Sequence, residues 1–272
     1  MIGSRAVPFL LCLVITVSSD AAAANKYQIT RDPQAIAVAQ AAFTAMGGPS
    51  AFVGYQDSVA LGTLTIYAGG TPVPHSIRMK SKGTHETRVE TQMPTGTNTR
   101  IMNQGQAAIQ KPDGTVQVLA SNNLVGARVA HVPLLSLLSE YQNSNISLTY
   151  QGTAQVNGHT TSVIAVSYVP STDPTAGQFF AAVTKTLFYV DQATGLVDKI
   201  QYENYEEGNS QQYHRTIEDY FDGYQMVNGI AVPFHQSTYA VGKLEADLIL
   251  TSVTFNVGLS DSDFTLPQGG QQ

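Results

Sequence analysis

The chain has 272 residues, of which 43% are hydrophobic, and its 14 basic and 20 acidic side chains give a formal net charge of −6. An acidic chain without a cluster of lysine or arginine lacks the positive surface that nucleic-acid binding requires, so we expect no nucleic acid partner. The single cysteine, Cys12, lies within the first 24 residues. A domain that begins after them folds without disulfides, as a chain of this size can.

The first 24 residues have the three parts of a secretory signal peptide. Residues 1–5 form a short, positively charged segment, and residues 6–17 form an apolar run too short to span a bilayer comfortably. Residues 21–24 are four alanines, which offer two overlapping Ala-x-Ala cleavage sites. We predict a signal peptide over 1–24, cleaved after Ala23 or Ala24, and an exported protein that is periplasmic or secreted. An uncleaved N-terminal anchor is the alternative. Later apolar runs are short, so no transmembrane span is expected after cleavage.

The segment 33–46 has the spacing of a helix. Asp32 is a suitable N-cap, and Pro33 fits the first helical position, where its missing N–H is not needed. Apolar residues then recur on one face as far as Met46, and Gly47-Gly48 ends the run. Because one face is apolar, we expect this helix to dock on the rest of the domain.

Beyond the helix, the hydrophobic period changes from 3.6 to 2. Along Ile146–Val156, apolar and polar residues alternate, which is typical of an antiparallel strand with one face in water. Asn157-Gly158 and Asn228-Gly229 predict tight hairpin turns. The other predicted strands are 59–66, 77–82, 85–91, short segments around 101, 108 and 116, then 163–168, 186–190, 196–205, 213–221, 230–239 and 246–257. We therefore predict one mainly β (α+β) domain over 25–267, built on a single antiparallel sheet, with a disordered tail at 268–272.

The segment 124–141 interrupts this pattern and is the most apolar part of the chain after the signal peptide. Pro133 lies inside it, and a proline is tolerated at the start of a helix but not in its interior. We therefore predict a second helix over 133–141 that lies across the concave side of the sheet.

Charged residues alternate along the two strands of one predicted hairpin. Their alternation predicts a charged outer surface on which opposite charges face each other and contribute modestly to stability. The residues are Arg78, Lys80 and Lys82 on one strand and Glu86, Arg88 and Glu90 on the next.

The sequence offers little support for catalysis. Its six histidines form no i, i+2 or i, i+4 pair, and there is no His-Glu-x-x-His motif, nucleophile elbow, phosphate loop or dinucleotide-binding glycine pattern. We predict no catalytic residues, no metal site and no cofactor, and hence a non-enzymatic role. A catalytic group assembled from residues distant in sequence is the alternative.

The C-terminal third resembles a known family. The turn-plus-strand motifs that carry the resemblance are Phe188-Tyr189-Val190-Asp191, Thr194-Gly195-Leu196, Asp219-Tyr220, Val227-Asn228-Gly229-Ile230-Ala231-Val232-Pro233-Phe234, Phe255-Asn256-Val257 and Asp261-Ser262-Asp263-Phe264-Thr265-Leu266-Pro267. They are similar to those of divergent members of the LolA/LolB-like outer-membrane lipoprotein-sorting family. The hairpin of Gln155-Val156-Asn157-Gly158-His159 and the opening helix that ends in Gly-Gly also fit this family.

The resemblance implies an unclosed β-barrel, a curved antiparallel sheet whose apolar concave side is lidded by helices. In the carrier proper, that cavity takes the acyl chains of a lipoprotein during outer membrane biogenesis. The carrier also has an arginine followed by a proline at the end of an early strand. This sequence has Lys80-Ser81-Lys82-Gly83 there, a departure that bears on lipoprotein transport and leaves lipid binding open.

We therefore expect a periplasmic binding or carrier protein for a lipid, a lipoprotein acyl chain or another long apolar ligand. The alternative is an envelope interaction or scaffold protein that keeps the fold with a filled cavity and binds no ligand; envelope proteins are possible partners in either case. The residues expected to form the apolar lining are Ile77, Met79, Val89, Leu134, Leu135, Leu138, Ile146, Leu148, Tyr150, Leu196, Ile200 and Tyr202.

Overall fold

A computed structural model describes residues 29–67, 71–119, 123–124, 130–134, 140–169, 174–205 and 214–267. The predicted signal peptide (1–24) and tail (268–272) lie outside the described residues. Three α-helices are described: α1 (Pro33–Ala45), α2 (Gly48–Phe52) and α3 (Pro174–Val183). None of these helices combines the length and hydrophobicity needed to cross a membrane.

Thirteen strands and a short 3-10 helix make up the remaining regular structure of the described chain. The strands are β1 (Asp57–Ile66), β2 (Val73–Lys82), β3 (Glu86–Met93), β4 (Gly96–Asn103), β5 (Gln106–Gln110), β6 (Val116–Leu119), β7 (Ile146–Val156), β8 (His159–Tyr168), β9 (Thr186–Asp191), β10 (Val197–Tyr205), β11 (His214–Val227), β12 (Ile230–Ala240) and β13 (Lys243–Phe255). The 3-10 helix is Asp261–Phe264.

All thirteen strands form one antiparallel sheet in the order β6-β5-β4-β3-β2-β1-β13-β12-β11-β10-β9-β8-β7. Strands that follow one another in the chain pair within the block β1–β6 and within the block β7–β13. The pairing of β1 with β13 joins these two blocks into one sheet. Strands β6 and β7 lie at opposite edges, and the sheet does not close into a barrel. The predicted fold class, a mainly β protein with a single unclosed antiparallel sheet, is confirmed.

Helix α1 forms where its spacing predicts it. The Asp32 side chain accepts a hydrogen bond from the N–H of Gln34 at 2.8 Å and another from Tyr150 of β7 at 3.1 Å, so the same cap ties the helix to the sheet. These backbone hydrogen bonds lower the pKa of Asp32. The buried side of the helix consists mainly of alanines, which let it lie close to β7 and β8.

The predicted helix over 133–141 is wrong where the structure describes it, since residues 131–134 form a bend and not a helical turn. The backbone of Val132 makes its hydrogen bonds with the sheet instead: its N–H donates to Ser81 Oγ at 3.0 Å, and its carbonyl accepts from Ser58 Oγ. These bonds to β1 and β2 take the place of helical ones. Residues 135–139 lie outside the described chain. Helix α3 was not predicted.

The outer face of the sheet is the face opposite to the one on which α1 packs. The 3-10 helix lies there, against β3 and β4, and Phe264 is fully buried beneath it. The charged hairpin is only partly as predicted, because the register sets Lys80 opposite Arg88, a like charge. Asp263 of the 3-10 helix supplies the counter-charge, with Lys80 Nζ 2.7 Å from its Oδ1. This ion pair, together with bonds from Ser260, lowers the pKa of Asp263 to about 2.

Candidate functional site

A cavity of about 880 Å³ lies on the inner face of the sheet, the face on which α1 packs. Its volume falls within the range of about 300–1,000 Å³ that is usual for small-molecule sites. Its walls come from β1–β6 and from β10–β13, so strands that are far apart in the sheet face the same space. The sheet is therefore curved, and the cavity lies in its concavity.

Helix α1 explains why the cavity occupies one end of the concave side. The helix packs over β7 and β8, where its buried residues join a core with Ile146, Leu148, Ile164 and Phe188. No residue of β7, β8 or β9 lines the cavity. Among the described residues, one end of the concave side is thus filled by a helix, and the other end holds the cavity.

Only some of the residues predicted to line a ligand site lie in the large cavity. Ile77, Met79, Val89 and Tyr202 line the large cavity. Ile146, Leu148 and Ile200 are instead buried in the hydrophobic core. Tyr150 and Leu196 are partly buried and pack against that core. Leu134 lines a second void of only about 20 Å³, next to Met79. Leu135 and Leu138 lie outside the described residues.

The remaining lining residues were not found from the sequence, and many of them are polar. The lining was predicted from the alternation of apolar residues, and this pattern does not identify a polar residue that faces inward. Among the described residues, the additional lining consists of Leu64, Arg100, Ile109, Gln117, Leu119, Asn123, Ala130, Asn204, Tyr205, Arg215, Ile217, Asp219, Gln236, Thr238, Glu245, Ala246 and Leu248. The cavity therefore combines an apolar wall with a group of charged and hydrogen-bonding side chains.

The charged residues of the cavity are only partly paired with one another. Arg215 Nη1 lies 2.8 Å from Glu245 Oε1. Within the part of the chain that the structure describes, Arg100 makes no ion pair or hydrogen bond. Asp219 is 1% exposed, and its Oδ1 accepts hydrogen bonds from Gln236 at 3.0 Å and from Thr238. Burial raises the pKa of the Asp219 carboxyl, since an ionised form would be poorly solvated there.

A second polar cluster lies on the outer face, around His235 of β12. Its Nδ1 is 2.9 Å from Asp222 and its Nε2 is 2.7 Å from Asp247 Oδ1. Ser237 Oγ donates to the same Asp247 oxygen at 2.8 Å and is 3.3 Å from the imidazole. This resembles a serine–histidine–aspartate grouping, but the Ser237 hydroxyl donates to Asp247 and both imidazole nitrogens face a carboxylate, so the imidazole is not placed to take the proton of Ser237. The cluster is best described as an ion-pair network.

This network should make stability depend on pH. Partial burial lowers the pKa of His235, but the hydrogen bonds to Asp247 and Asp222 outweigh that effect and raise the pKa above 6.5. The contribution of His235 to stability is therefore complete at pH values below its pKa in the unfolded state, and it is lost as pH rises through its pKa in the folded state. We expect His235→Gln to lower the free energy of unfolding by about 0.5–1 kcal/mol at pH 6, and by less at pH 9. Urea unfolding across this range checks it, and a difference that does not change with pH would contradict it.

One group of side chains has the composition of a metal site. His159, Asp191 and Asp198 bring their ligand atoms within 4.8 Å of one another. However, Asp191 accepts hydrogen bonds from the N–H of Ala193 at 3.1 Å and from Thr194 Oγ1 at 2.7 Å, and so fixes the turn between β9 and β10. His159 Nδ1 lies 3.0 Å from Asp198. A turn and a histidine–aspartate pair account for the group, and the absence of a metal site stays a prediction.

Comparison with known proteins finds similarity in structure only. No protein-family model and no curated protein sequence matches the chain. A DUF1329 family protein from Desulfovibrio piger is 14% identical, with a TM-score of 0.56 over 85% of this chain and 97% of that one. A LolA superfamily protein from Nitrosomonas europaea is 12% identical, with a TM-score of 0.55 over 88% of this chain and 98% of that one.

A third structure comes from a Vibrio parahaemolyticus protein domain assigned provisionally to outer membrane lipoprotein sorting. It is 15% identical, with a TM-score of 0.54 over 85% of this chain and 96% of that one. At such identities the similarity establishes the fold and nothing more. The chain therefore has the fold of the LolA superfamily and of the lipoprotein-sorting domain, as its C-terminal motifs predicted.

Proposed function

We propose that the chain is an exported, non-enzymatic carrier or binding protein that holds the apolar part of a lipid or another long apolar ligand in the cavity of its curved sheet. The observation that carries the proposal is the cavity of about 880 Å³ that α1 leaves unfilled. One wall of the cavity consists of Leu64, Ile77, Met79 and Val89, four apolar residues on neighbouring strands. The shared fold with a domain named for lipoprotein sorting supports the same interpretation.

The apolar wall can supply useful affinity. Burying a methylene group contributes about 0.8 kcal/mol, so a sixteen-carbon chain could gain on the order of 12 kcal/mol before the entropy of ordering it is subtracted. Even half of that corresponds to a dissociation constant between about 10 μM and 100 μM. A ligand of this kind therefore needs few polar contacts to bind, although the cavity offers several.

Native mass spectrometry of gently purified protein tests this function, together with displacement of a fluorescent sixteen-carbon fatty acid. We expect the wild type to carry or bind an acyl-chain ligand. Val89→Trp should weaken binding at least tenfold, because an indole at this partly buried position would occupy the cavity. The matched control is Ile249→Trp, at a 53% exposed position on β13. It should bind as the wild type does.

A wild type that purifies without ligand and binds no acyl chain would contradict the proposal. That result would favour the alternative, an envelope interaction or scaffold protein that has kept the fold. Equal loss of binding in Val89→Trp and Ile249→Trp would also contradict it, because the site would then not be the cavity. Unfolding curves of both variants identify any loss that comes from misfolding.

A further inference from the structure

One oxygen of the buried Asp219 carboxyl makes no hydrogen bond of normal geometry with the described residues. Gln236 and Thr238 both donate to Oδ1, while Oδ2 is buried and, within the part of the chain that the structure describes, accepts no hydrogen bond of acceptable geometry. Burial raises the pKa of Asp219, and the neighbouring phenol of Tyr202, a weaker donor to the carboxyl than Thr238 and Gln236, offsets part of that rise. Burial, together with the charge of Asp219, raises the pKa of Tyr202. Both residues line the large cavity.

An unpaired carboxyl oxygen in this position does not stabilise the fold. A buried polar atom without a partner is unfavourable, and more so when the group is ionised. An asparagine has the same shape and would still accept from Gln236 and Thr238 through its own oxygen. Residues that reduce stability and line a cavity are frequently functional, so the carboxyl calls for a role that asparagine could not fill.

We propose that Asp219 Oδ2 accepts a hydrogen bond from an N–H or O–H group of the ligand, so that the ligand is an amphiphile whose polar end enters the cavity. This inference rests on the proposed function, because it concerns the same cavity. The donor must reach a carboxyl that is 1% exposed, and it does so where Asp219 meets the cavity, beside Tyr202. The apolar chain then lies along Leu64, Ile77, Met79 and Val89.

The charge of the surrounding side chains agrees with a polar group in this place. Arg215 is neutralised by Glu245, whereas Arg100 faces the same cavity from β4 and, among the described residues, has no counter-ion. Both arginines line the same cavity as Tyr202, and their charges oppose the rise in the pKa of its phenol. A purely apolar ligand would leave Arg100 and Asp219 Oδ2 without a partner among the described residues, whereas a polar end can pair with them.

The test compares ligands in which methyl groups replace the hydrogens of a hydrogen-bond donor, by calorimetric titration of the wild type. Decylammonium is paired with decyltrimethylammonium, which has the same charge but no N–H. Decanol is paired with decyl methyl ether, which has no O–H. We expect the wild type to bind the hydrogen-bond donor of at least one pair up to about tenfold more tightly, which is the upper end of what one net hydrogen bond contributes. The pair that shows the preference identifies the donor as an amine or a hydroxyl.

The variants then assign the preference to one atom. Asp219→Asn should abolish it while unfolding at the same urea concentration as the wild type or a higher one. Asp222→Asn makes the same chemical change three residues along β11, on the outer face, and should keep the preference. Thr238→Val removes a bond to Oδ1 but leaves Oδ2 in place, and should keep it as well.

Four results would overturn the inference. Equal binding within both pairs, or a preference that survives Asp219→Asn, would show that the carboxyl is not the acceptor; binding of the ten-carbon chain itself would still leave the proposed function standing. A clear loss of stability in Asp219→Asn would show that the carboxyl has a structural role, for example as an acceptor for Tyr202. Failure of the wild type to bind any of the four compounds would overturn both this inference and the proposed function.

Discussion

Replacing Gly47 with alanine should lower the free energy of unfolding by about 3 kcal/mol or more. Gly47 follows α1 with φ at 127°, in a region that residues with a side chain rarely adopt. A Cβ there would also lie 2.5 Å from the carbonyl oxygen of Gly229, a backbone atom of the β11–β12 turn. That turn is held to the helix by the Ala231 N–H, which donates to the carbonyl of Met46 at 3.0 Å. The strain therefore falls on the junction between helix and sheet.

Gly48 provides the matched control. Its φ is also positive, at 63°, but a Cβ at this position would meet no atom within 4 Å. Gly48→Ala should therefore show only the ordinary cost of a left-handed residue, about 1–2 kcal/mol. Urea unfolding of the two variants beside the wild type measures the difference. If both variants lost the same stability, the close approach of α1 to the β11–β12 turn would be wrong.

Replacing Phe264 with alanine should lower the free energy of unfolding by about 3–5 kcal/mol. The ring is fully buried between the 3-10 helix and strands β3 and β4, and the backbone around it is held by two side chains of the sheet. Arg88 donates to the carbonyl of Asp263 at 3.2 Å, and Asn103 donates to that of Phe264 at 3.1 Å. Without the ring, the segment should separate more easily from the outer face.

Val257→Ala is the control for this change, because Val257 precedes the same segment and is 44% exposed. It should lose less than about 0.5 kcal/mol. Relative to the wild type, Phe264→Ala should speed the hydrogen exchange of residues 258–267 more than that of the β7–β8 hairpin. A Phe264→Ala variant that unfolds at the wild-type urea concentration would contradict the described position of the 3-10 helix.

Local patterns predicted most of the strands, because a sheet with one wet face imposes a period of two on the sequence. Both Asn-Gly turns are observed, with positive φ at Asn157, Gly158, Asn228 and Gly229, as a type I′ hairpin requires. Local patterns contain no information about which distant strands pair. The β1–β13 ladder, which joins the two blocks of the sheet, was therefore not predicted; the resemblance to a known family implied only a single curved sheet.

The same limit explains the outcome at Pro133 and in the cavity. Pro133 predicted the start of a helix because a proline fits that position, but the hydrogen bonds that hold Val132 come from Ser58 and Ser81, which are distant in sequence. In the cavity, apolar alternation identified Ile77, Met79 and Val89. The inward-facing Asp219 could have been noticed, because it occupies a position whose neighbours at i−2 and i+2, Ile217 and Phe221, are both buried and apolar.

The position of β13 in the middle of the sheet has a consequence for the order of folding. Strands β1–β6, and likewise strands β7–β12, can pair by hairpins between neighbours in the chain. They become one sheet only when β13 inserts between β12 and β1, and β13 is the last described strand to leave a ribosome or an export channel. Contacts between residues so far apart in sequence form slowly, since a long loop must first be closed. The cavity has walls from both blocks, so in a newly made chain these walls do not come together until β13 is in place.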